Sequence, residues 1–507
     1  MNDLQARIDK VLQQATRTAL AYAQRTLEER SAFLSAIAEE LEKRSDVLID
    51  TAAGETHLAP ERLRTELQRT QWQLYSYGQA CREGDWLDIR IDIPDGAGTE
   101  NPGNGDAPSW TVHRRQNDLR KMLLPLGPVV VFGASNFPFA YSTAGGDTAC
   151  ALAAGCPVIV KAHPAHAATS RLVAEAVQES ARRLGLPEGV FQHVEGGFDE
   201  GQALVLHPHT RAVGFTGSLE GGRALFDLAQ QRPVPIPVFA EMGSVNPVFL
   251  LPEGLAADAE GFAKQFLQSV TGSAGQFCTK PGLLVGIDSP ALDSFREYLS
   301  ENIGLVPPQE MLHPGIAKAF QHKRADALAV ESVAVAGTLS CPVGRNDSIP
   351  TLAETDAAAF LANPVLHHEV FGPFALLVRC ADGGELLSVA EALEGQITCT
   401  LVATTDELRH CPQLITALQA RCGRFIRNGV PTGVEVVPAM MHGGPYPATT
   451  DSRFTAVGAD GIRRFARPVC YQNWENELLP AELQNENPLG IWRTVNGVLS
   501  RDALGNN

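Results

Sequence analysis

The sequence predicts an α/β protein built on a doubly wound parallel sheet. From Leu126 onward, short apolar runs alternate with helix-length segments, the pattern of repeated βα units. Those runs lack polar alternation, as expected when helices cover both faces of a sheet. The length of 507 residues suggests about three structural units, at roughly 150 residues per domain. Such a chain can bury a large core without disulfide or metal staples.

The first ninety residues read as helices. Leu34, Ile37, Leu41 and Leu48 recur at helical spacing among Glu39, Glu40, Glu42 and Lys43. A further helix is predicted over Glu61–Tyr77, with Pro60 near its start. In Trp86–Pro94, Leu87, Ile89, Ile91 and Ile93 alternate with Asp88, Arg90 and Asp92, which predicts a half-buried strand. Turn-formers fill Asp95–Pro108, and a second strand is expected around Trp110–Gln116, so the pair would form a hairpin or arm. Five buried strands follow, at Val129–Phe132, Val158–Lys161, Val190–Val194, Ala212–Phe215 and Val238–Glu241. The segments Ala144–Ala154, Ala167–Leu184 and Leu219–Gln230 suit the intervening helices. A further α/β region runs from about Glu241 to His442, and the tail from Arg464 is rich in Asn, Pro and Trp.

Composition excludes several classes. With 44% hydrophobic and 20% charged residues, the chain is neither disordered nor fibrous. Its net charge of −17 argues against nucleic-acid binding. Apolar stretches such as Pro128–Phe132 and Pro157–Val160 fall far short of the roughly 20 residues of a spanning helix. The N-terminus has no secretory-signal pattern. Ten cysteines occur without a Cys-x-x-Cys pair or zinc-finger spacing, so reduced thiols, a cytoplasmic setting and no metal site are expected.

Six motifs carry chemistry. In GSAGQFCTKPG (Gly272–Gly282), Cys278 lies among small and polar residues, where a thiolate could act as nucleophile. In FAEMGSVNP (Phe239–Pro247), Glu241 ends a strand where α/β sheets place ligands and could act as general base. In GASNFPF (Gly133–Phe139), Asn136 could donate to an oxyanion. In VKAHPAHAATS (Val160–Ser170), Lys161 closes a strand above the same crevice. In GFTGSLEGG (Gly214–Gly222), Gly217 and Ser218 sit at a helix start suited to phosphate, although the Gly-x-Gly-x-x-Gly fingerprint is absent. EVFGP (Glu369–Pro373) has little specificity alone. Singly, each residue also admits a plain reading: a buried structural Cys, a solvated strand-end Glu or Lys, a turn Asn, a Ser N-cap.

In this order and spacing, the motifs together resemble the NAD(P)-dependent aldehyde dehydrogenase superfamily, from about Gly54-Glu55-Thr56 to Gly444. The resemblance implies the aldehyde dehydrogenase fold: a Rossmann-like cofactor domain (1–86 and 123–240), an α/β catalytic domain (241–442), and an oligomerisation arm with C-terminal segment (87–122 and 465–507). It implies that Cys278 is the thiol nucleophile, Glu241 the base and Asn136 the oxyanion donor. Lys161 and His163 would face the adenosine, and Phe215, Thr216, Gly217, Ser218 and Gly222 the pyrophosphate. Glu369 and Phe371 would meet the nicotinamide half, and Phe277 the aldehyde. A homodimer or homotetramer is expected.

The departures matter. Met242, Ser244 and Val245 replace Leu, Gly and Lys of the family pattern beside Glu241. Pro164 stands where NAD-preferring members carry a Glu three residues after the Lys. Without that carboxylate a 2′-phosphate is not repelled, so NADP is expected to be accepted, with NAD possible. KAHP, GASNFP and HGGPYPATTD resemble a subgroup of NADP-linked fatty-aldehyde and 2-oxoglutarate-semialdehyde dehydrogenases. This subgroup likeness places His442 near the site, where an imidazole could tune the thiol or base. The helix lining the aldehyde tunnel would be ERLRTELQRTQWQL, with Arg62, Arg64 and Arg69. Arg69 best matches the semialdehyde subgroup and would suit a substrate carboxylate, whereas a fatty-aldehyde enzyme would want an apolar tunnel. Other readings are an acylating enzyme that passes the thioester to coenzyme A, a non-catalytic derivative of the fold, and a cofactor-free thiol hydrolase.

Overall fold

The computed structural model describes residues 3–94, 115–341 and 343–504. Four helices open this part of the chain: α1 (Asp3–Ala23), α2 (Leu27–Lys43), α3 (Ser45–Thr56) and α4 (Pro60–Glu83). A capping box starts α2: Thr26 Oγ1 accepts from Glu29 N, and the Glu29 carboxylate accepts from Thr26 N. Pro60 lies in the first turn of α4, and Gly84 in left-handed conformation stops it. The helix predicted over Glu61–Tyr77 therefore runs on to Glu83.

One expectation about the arm needs correction. Only β1 (Arg90–Asp92) of the segment Trp86–Pro94 is a strand. Asp85–Leu87 is a 3-10 turn, and Asp88 has φ 45°, which breaks the alternation. The expected partner strand Trp110–Gln116 lies outside the described residues up to position 114, and Arg115 and Gln116 are not in a strand. Instead β1 pairs antiparallel with β2 (Leu119–Pro125), Arg90 opposite Lys121. The reason β2 escapes a polarity pattern is Arg120. It is buried, bound to Asp118, to Asn485 and to the carbonyl of Leu483, while Leu119 faces out.

The next sheet contains β3 (Val129–Phe132), β4 (Val158–Lys161), β5 (Phe191–Val194), β6 (Ala212–Thr216) and β7 (Val238–Glu241). Its order is β5-β4-β3-β6-β7, and every pairing is parallel. Helices α5 (Gly146–Ala154), α6 (Ala167–Arg183), α7 (Phe198–Leu206) and α8 (Leu219–Gln230) connect the strands. The all-apolar strands now have a cause. Val129, Val131, Val158 and Val160 join the core with α2, α4, α5 and α6, whereas Val130 and Ile159 pack with Ile8 and Leu12 of α1.

A seven-stranded sheet follows, made of β8 (Val248–Leu250), β9 (Leu283–Ile287), β10 (Ala334–Thr338), β11 (Thr351–Asp356), β12 (Phe374–Cys380), β13 (Gln396–Val402) and β14 (Cys422–Arg427). Its order is β10-β11-β12-β9-β8-β13-β14, parallel except for β10 with β11. Helices α9 (Pro252–Ala256), α10 (Ala259–Thr271), α11 (Pro290–Ile303) and α12 (Pro314–Leu328) lie in this region. The arm sheet is completed by β15 (Ala466–Gln472), β16 (Arg493–Val495) and β17 (Val498–Ser500), in the order β15-β2-β1-β16-β17. Among the described residues, no helix is long and apolar enough to cross a membrane.

A buried ion pair ties the C-terminal region to the first parallel sheet. Arg464 Nη1 lies 2.7 Å from Asp147 Oδ1 in the first turn of α5, and the Arg464 side chain is 4% exposed. Removing one partner leaves the other charge buried and unpaired. Arg464→Met is expected to cost about 3–5 kcal/mol, read as a lowered denaturation midpoint. Asp147→Asn in the same background should recover part of the loss.

Candidate active site

The C-terminal ends of β3, β4, β6 and β7 open on a cleft of about 1120 Å³, closed on its other side by loops of the seven-stranded sheet. Parallel βα connections direct loops and helix N-termini to that edge, so the motifs of both sheets converge there.

The nucleophile loop is shaped by backbone. Ser273, Ala274 and Gly275 all have positive φ. At Gly275 (φ 66°) a Cβ would lie 2.3 Å from the carbonyl carbon of Gly372. The loop before Cys278 thus lies directly on EVFGP, a contact only glycine permits. Asn246 Nδ2 donates to the carbonyls of Cys278 (2.8 Å) and Lys280 (3.1 Å), which fixes the loop from the Glu241 side. Ser244, one of the departures, uses its hydroxyl as a strut: it donates to Gln396 Oε1 and accepts from Ile397 N.

Three functional side chains meet. His442 Nε2 lies 3.6 Å from Cys278 Sγ and 3.0 Å from Glu241 Oε1. His442 is fully buried and Glu241 is 4% exposed. Burial raises the Cys278 thiol well above its ordinary range, and the Glu241 charge adds to the rise. Burial also pushes Glu241 upward, but His442 and the thiol outweigh it, so its carboxyl titrates below the usual range. The resting site therefore holds a protonated thiol beside an ionised carboxylate. Asn136 Nδ2 donates to Gln276 O at 3.1 Å, which brings the amide beside the nucleophile loop.

Beside the cleft residues Asn136, Phe137 and Tyr141, α4 packs its side chains against aromatic rings; Arg62, Arg69 and Phe277 are not among the residues that line the cleft. Arg62 donates to Asn136 O (2.8 Å) and lies over the Phe137 and Phe277 rings. Arg69 donates to Tyr141 Oη and Val434 O, with its guanidinium 5.2 Å from the Tyr141 ring centre. Arg64 faces solvent. Between Arg62 and Arg69, buried Glu66 accepts from Phe139 N and Ala140 N and so anchors the GASNFPF turn.

The remaining candidates line the cleft, with one exception. Lys161, His163, Phe215, Thr216, Gly217, Ser218, Glu369 and Phe371 all contribute to its wall. Gly222 does not: it packs on Met242, where a Cβ would come within 2.6 Å of the side chain, and Gly221 takes its place at the wall. Gly222 therefore stands behind the cleft wall, against Met242. Ser218 Oγ is used as the α8 cap, accepting from Gly221 N. Burial pushes Glu369 up, and it pushes the neighbouring Lys280 down. Burial, then His166, His313 and Lys161, hold His163 at about 3. Its Nδ1 accepts from Ala165 N, so the proton of the neutral ring sits on Nε2.

Residues 2–340 match the model of the aldehyde dehydrogenase family. The chain is similar to alpha-ketoglutaric semialdehyde dehydrogenase 2 of Azospirillum brasilense, at 46% identity over 97% of this chain and 92% of that protein. It is similar to alpha-ketoglutaric semialdehyde dehydrogenase of Acinetobacter baylyi (strain ATCC 33305 / BD413 / ADP1) at 44% identity, over 98% of this chain and 92% of the relative. The chain belongs to the aldehyde dehydrogenase family. Its fold is also that of methylmalonate-semialdehyde dehydrogenase from Oceanimonas doudoroffii, with TM-score 0.75 and 18% identity over 93% of this chain and 91% of that one.

As a member of this family the enzyme oxidises an aldehyde with NAD(P). The cleft fits such a group: the α8 N-terminus opens on it, Lys161 offers a cation, and the neutral His163 offers a donor. Several residues of this aldehyde dehydrogenase were not singled out from sequence: Glu66, Gln276, Asn246 and Lys280. Glu66 had a signal, because positions 62, 66 and 69 share one face of α4. Asn246 and Lys280 act through carbonyls of distant segments, which spacing does not reveal.

His163 yields a pH prediction. Its native value is depressed, so below the ordinary value of 6.5 the unfolded chain takes up a proton that the native ring refuses. Stability is then lost as pH falls from 6.5 toward 3, by about 1.4 kcal/mol per pH unit for one group. His163→Gln should flatten the fall of the thermal midpoint between pH 6 and pH 4 relative to wild type, about where one proton is taken up. An unchanged slope contradicts the assignment.

Proposed function

We propose that this aldehyde dehydrogenase oxidises 2-oxoglutarate semialdehyde (2,5-dioxopentanoate) to 2-oxoglutarate. The observation that carries the reading is the pair Arg62 and Arg69 on the aldehyde side, near Asn136 and Tyr141. A substrate with a carboxylate remote from its aldehyde gains paired hydrogen bonds from a guanidinium. The names of the two full-length relatives point the same way. A fatty or broad-range aldehyde is the second reading, and the Phe137, Tyr141 and Phe277 rings favour it.

The mechanism starts at Cys278. Its thiol proton passes to His442 Nε2, and the imidazolium is held by Glu241. The sulfur bonds to the aldehyde carbon, and the carbonyl electron pair moves to oxygen, stabilised by Asn136 and the Cys278 backbone N–H. A nicotinamide held beside Glu369 and Phe371 would supply the hydride acceptor for that carbon. A thioester then stands on Cys278. Glu241 takes a proton from water, the hydroxyl adds to the acyl carbon, and the carbon–sulfur bond breaks. The departing sulfur recovers its proton from His442, and the acid leaves.

For the cofactor, Lys161, His163, Phe215, Thr216, Gly217 and Ser218 form the adenosine and pyrophosphate side, with Glu369 and Phe371 on the nicotinamide side. Pro164 in place of a carboxylate supports acceptance of NADP. We read 1–86 with 123–240 as the cofactor unit, 241–442 as the catalytic unit, and 87–122 with 465–507 as the arm. Val498 and Leu499, exposed on edge strand β17, support a homodimer or homotetramer. The free cysteines fit a cytoplasmic enzyme.

An aldehyde panel tests the reading. Wild type should favour 2,5-dioxopentanoate over unsubstituted short and long aldehydes, and should turn over NADP. Arg69→Ala should raise KM for 2,5-dioxopentanoate by roughly 10–100-fold, the loss of one charge-assisted bond, with little change for pentanal. An unchanged KM in this variant removes the carboxylate reading. A kcat/KM ratio strongly favouring NAD over NADP removes the cofactor reading.

A further inference from the structure

The same three groups that meet at the thiol have the chemistry of a metal face. Cys278 Sγ, His442 Nε2 and a Glu241 oxygen all lie within 4.8 Å of one another. Two of the separations, 3.6 Å for sulfur to nitrogen and 3.0 Å for nitrogen to oxygen, are near the edges of a tetrahedron with zinc-ligand bonds of about 2.0–2.3 Å. A second observation points to an electrophilic guest. Glu241 is 4% exposed, and apart from the imidazole nitrogen beside Oε1 its carboxylate has no aligned hydrogen-bond donor. Native proteins rarely leave buried polar atoms so.

We propose that Cys278, His442 and Glu241 form a reversible site for a thiophilic divalent cation of the zinc type, and that its occupation switches the enzyme off. The donor set of thiolate, imidazole and carboxylate selects such an ion over magnesium or calcium, which prefer all-oxygen shells. On binding, the thiol loses its proton to solvent. Thiolate and carboxylate then carry two negative charges against the two positive charges of the ion, so the buried cluster becomes neutral. Cys278 and Glu241 both line the cleft, which supplies the entry path and leaves a fourth position for water. The ion consumes the nucleophile and masks the base together. Aldehyde oxidation therefore stops while the rest of the cleft is unaltered.

The inference rests on the cluster geometry and not on the substrate, so it is tested by binding. The full-length enzyme, stripped with a chelator and desalted, is titrated with Co²⁺ as a spectroscopic probe and with Zn²⁺ by calorimetry. Exposed Cys341 and Cys470 are replaced by serine in the background to remove surface thiol sites. The expected result is one ion per chain, a thiolate-to-cobalt charge-transfer band, and reversible loss of activity restored by chelator. Cys278→Ser should abolish the band. His442→Asn or Glu241→Gln should weaken Zn²⁺ binding by more than the roughly 10–100-fold that loss of an outer-shell partner costs. Alkylation of Cys278 in the otherwise unmutated chain should also abolish the band, which guards against a variant that fails to fold. A band that survives both Cys278→Ser and alkylation, binding unchanged in His442→Asn and Glu241→Gln, or absence of stoichiometric binding overturns the proposal.

Discussion

A buried carboxylate is the constraint around which the site is organised. Glu241 ends the apolar edge strand β7 and is 4% exposed, and an isolated charge there would cost several kcal/mol. His442 Nε2, 3.0 Å from Glu241 and 3.6 Å from the Cys278 thiol, offsets that cost once the thiol proton has passed to it. In the resting site the ionised Glu241 helps to keep the buried thiol protonated. One arrangement thus sets which group holds the proton before substrate arrives, and which is free to activate water afterwards.

That arrangement depends on braces from both sheets. Asn246, following β7, holds the carbonyls on both sides of the nucleophile turn. Gly275 lets the turn rest on Gly372. Glu66 and Arg62, on α4, hold the segment that carries Asn136. Each brace fixes a backbone position rather than adding a reactive group. Their combined effect is preorganisation: the donors stand where charge develops and need not reorganise during the reaction.

The parallel sheet was legible because a strand buried on both faces leaves an unmistakable apolar run. Val129–Phe132, Val158–Lys161 and Val238–Glu241 stand in the fold as the pattern predicted. The arm was less legible. Asp88 turns into the left-handed region, and Arg120 faces inward to carbonyl partners, so polarity no longer reports the buried face. In the site, Cys278, Glu241 and Asn136 could be singled out because their motifs are local. The meeting of Cys278 with His442 spans 164 residues and follows from packing. Gly222 illustrates the reverse: a glycine in a phosphate-like motif that serves the seating of α8 on Met242.

The proposed mechanism divides the labour: His442 receives the thiol proton and Glu241 activates water. Rapid mixing of Glu241→Gln with aldehyde and oxidised cofactor tests it directly, with reduced nicotinamide followed by absorbance. The predicted result is a fast burst approaching one equivalent per active site, followed by steady-state turnover far below wild type as the thioester accumulates. Steady-state turnover at the wild-type rate would contradict the assignment of Glu241 as the hydrolytic base.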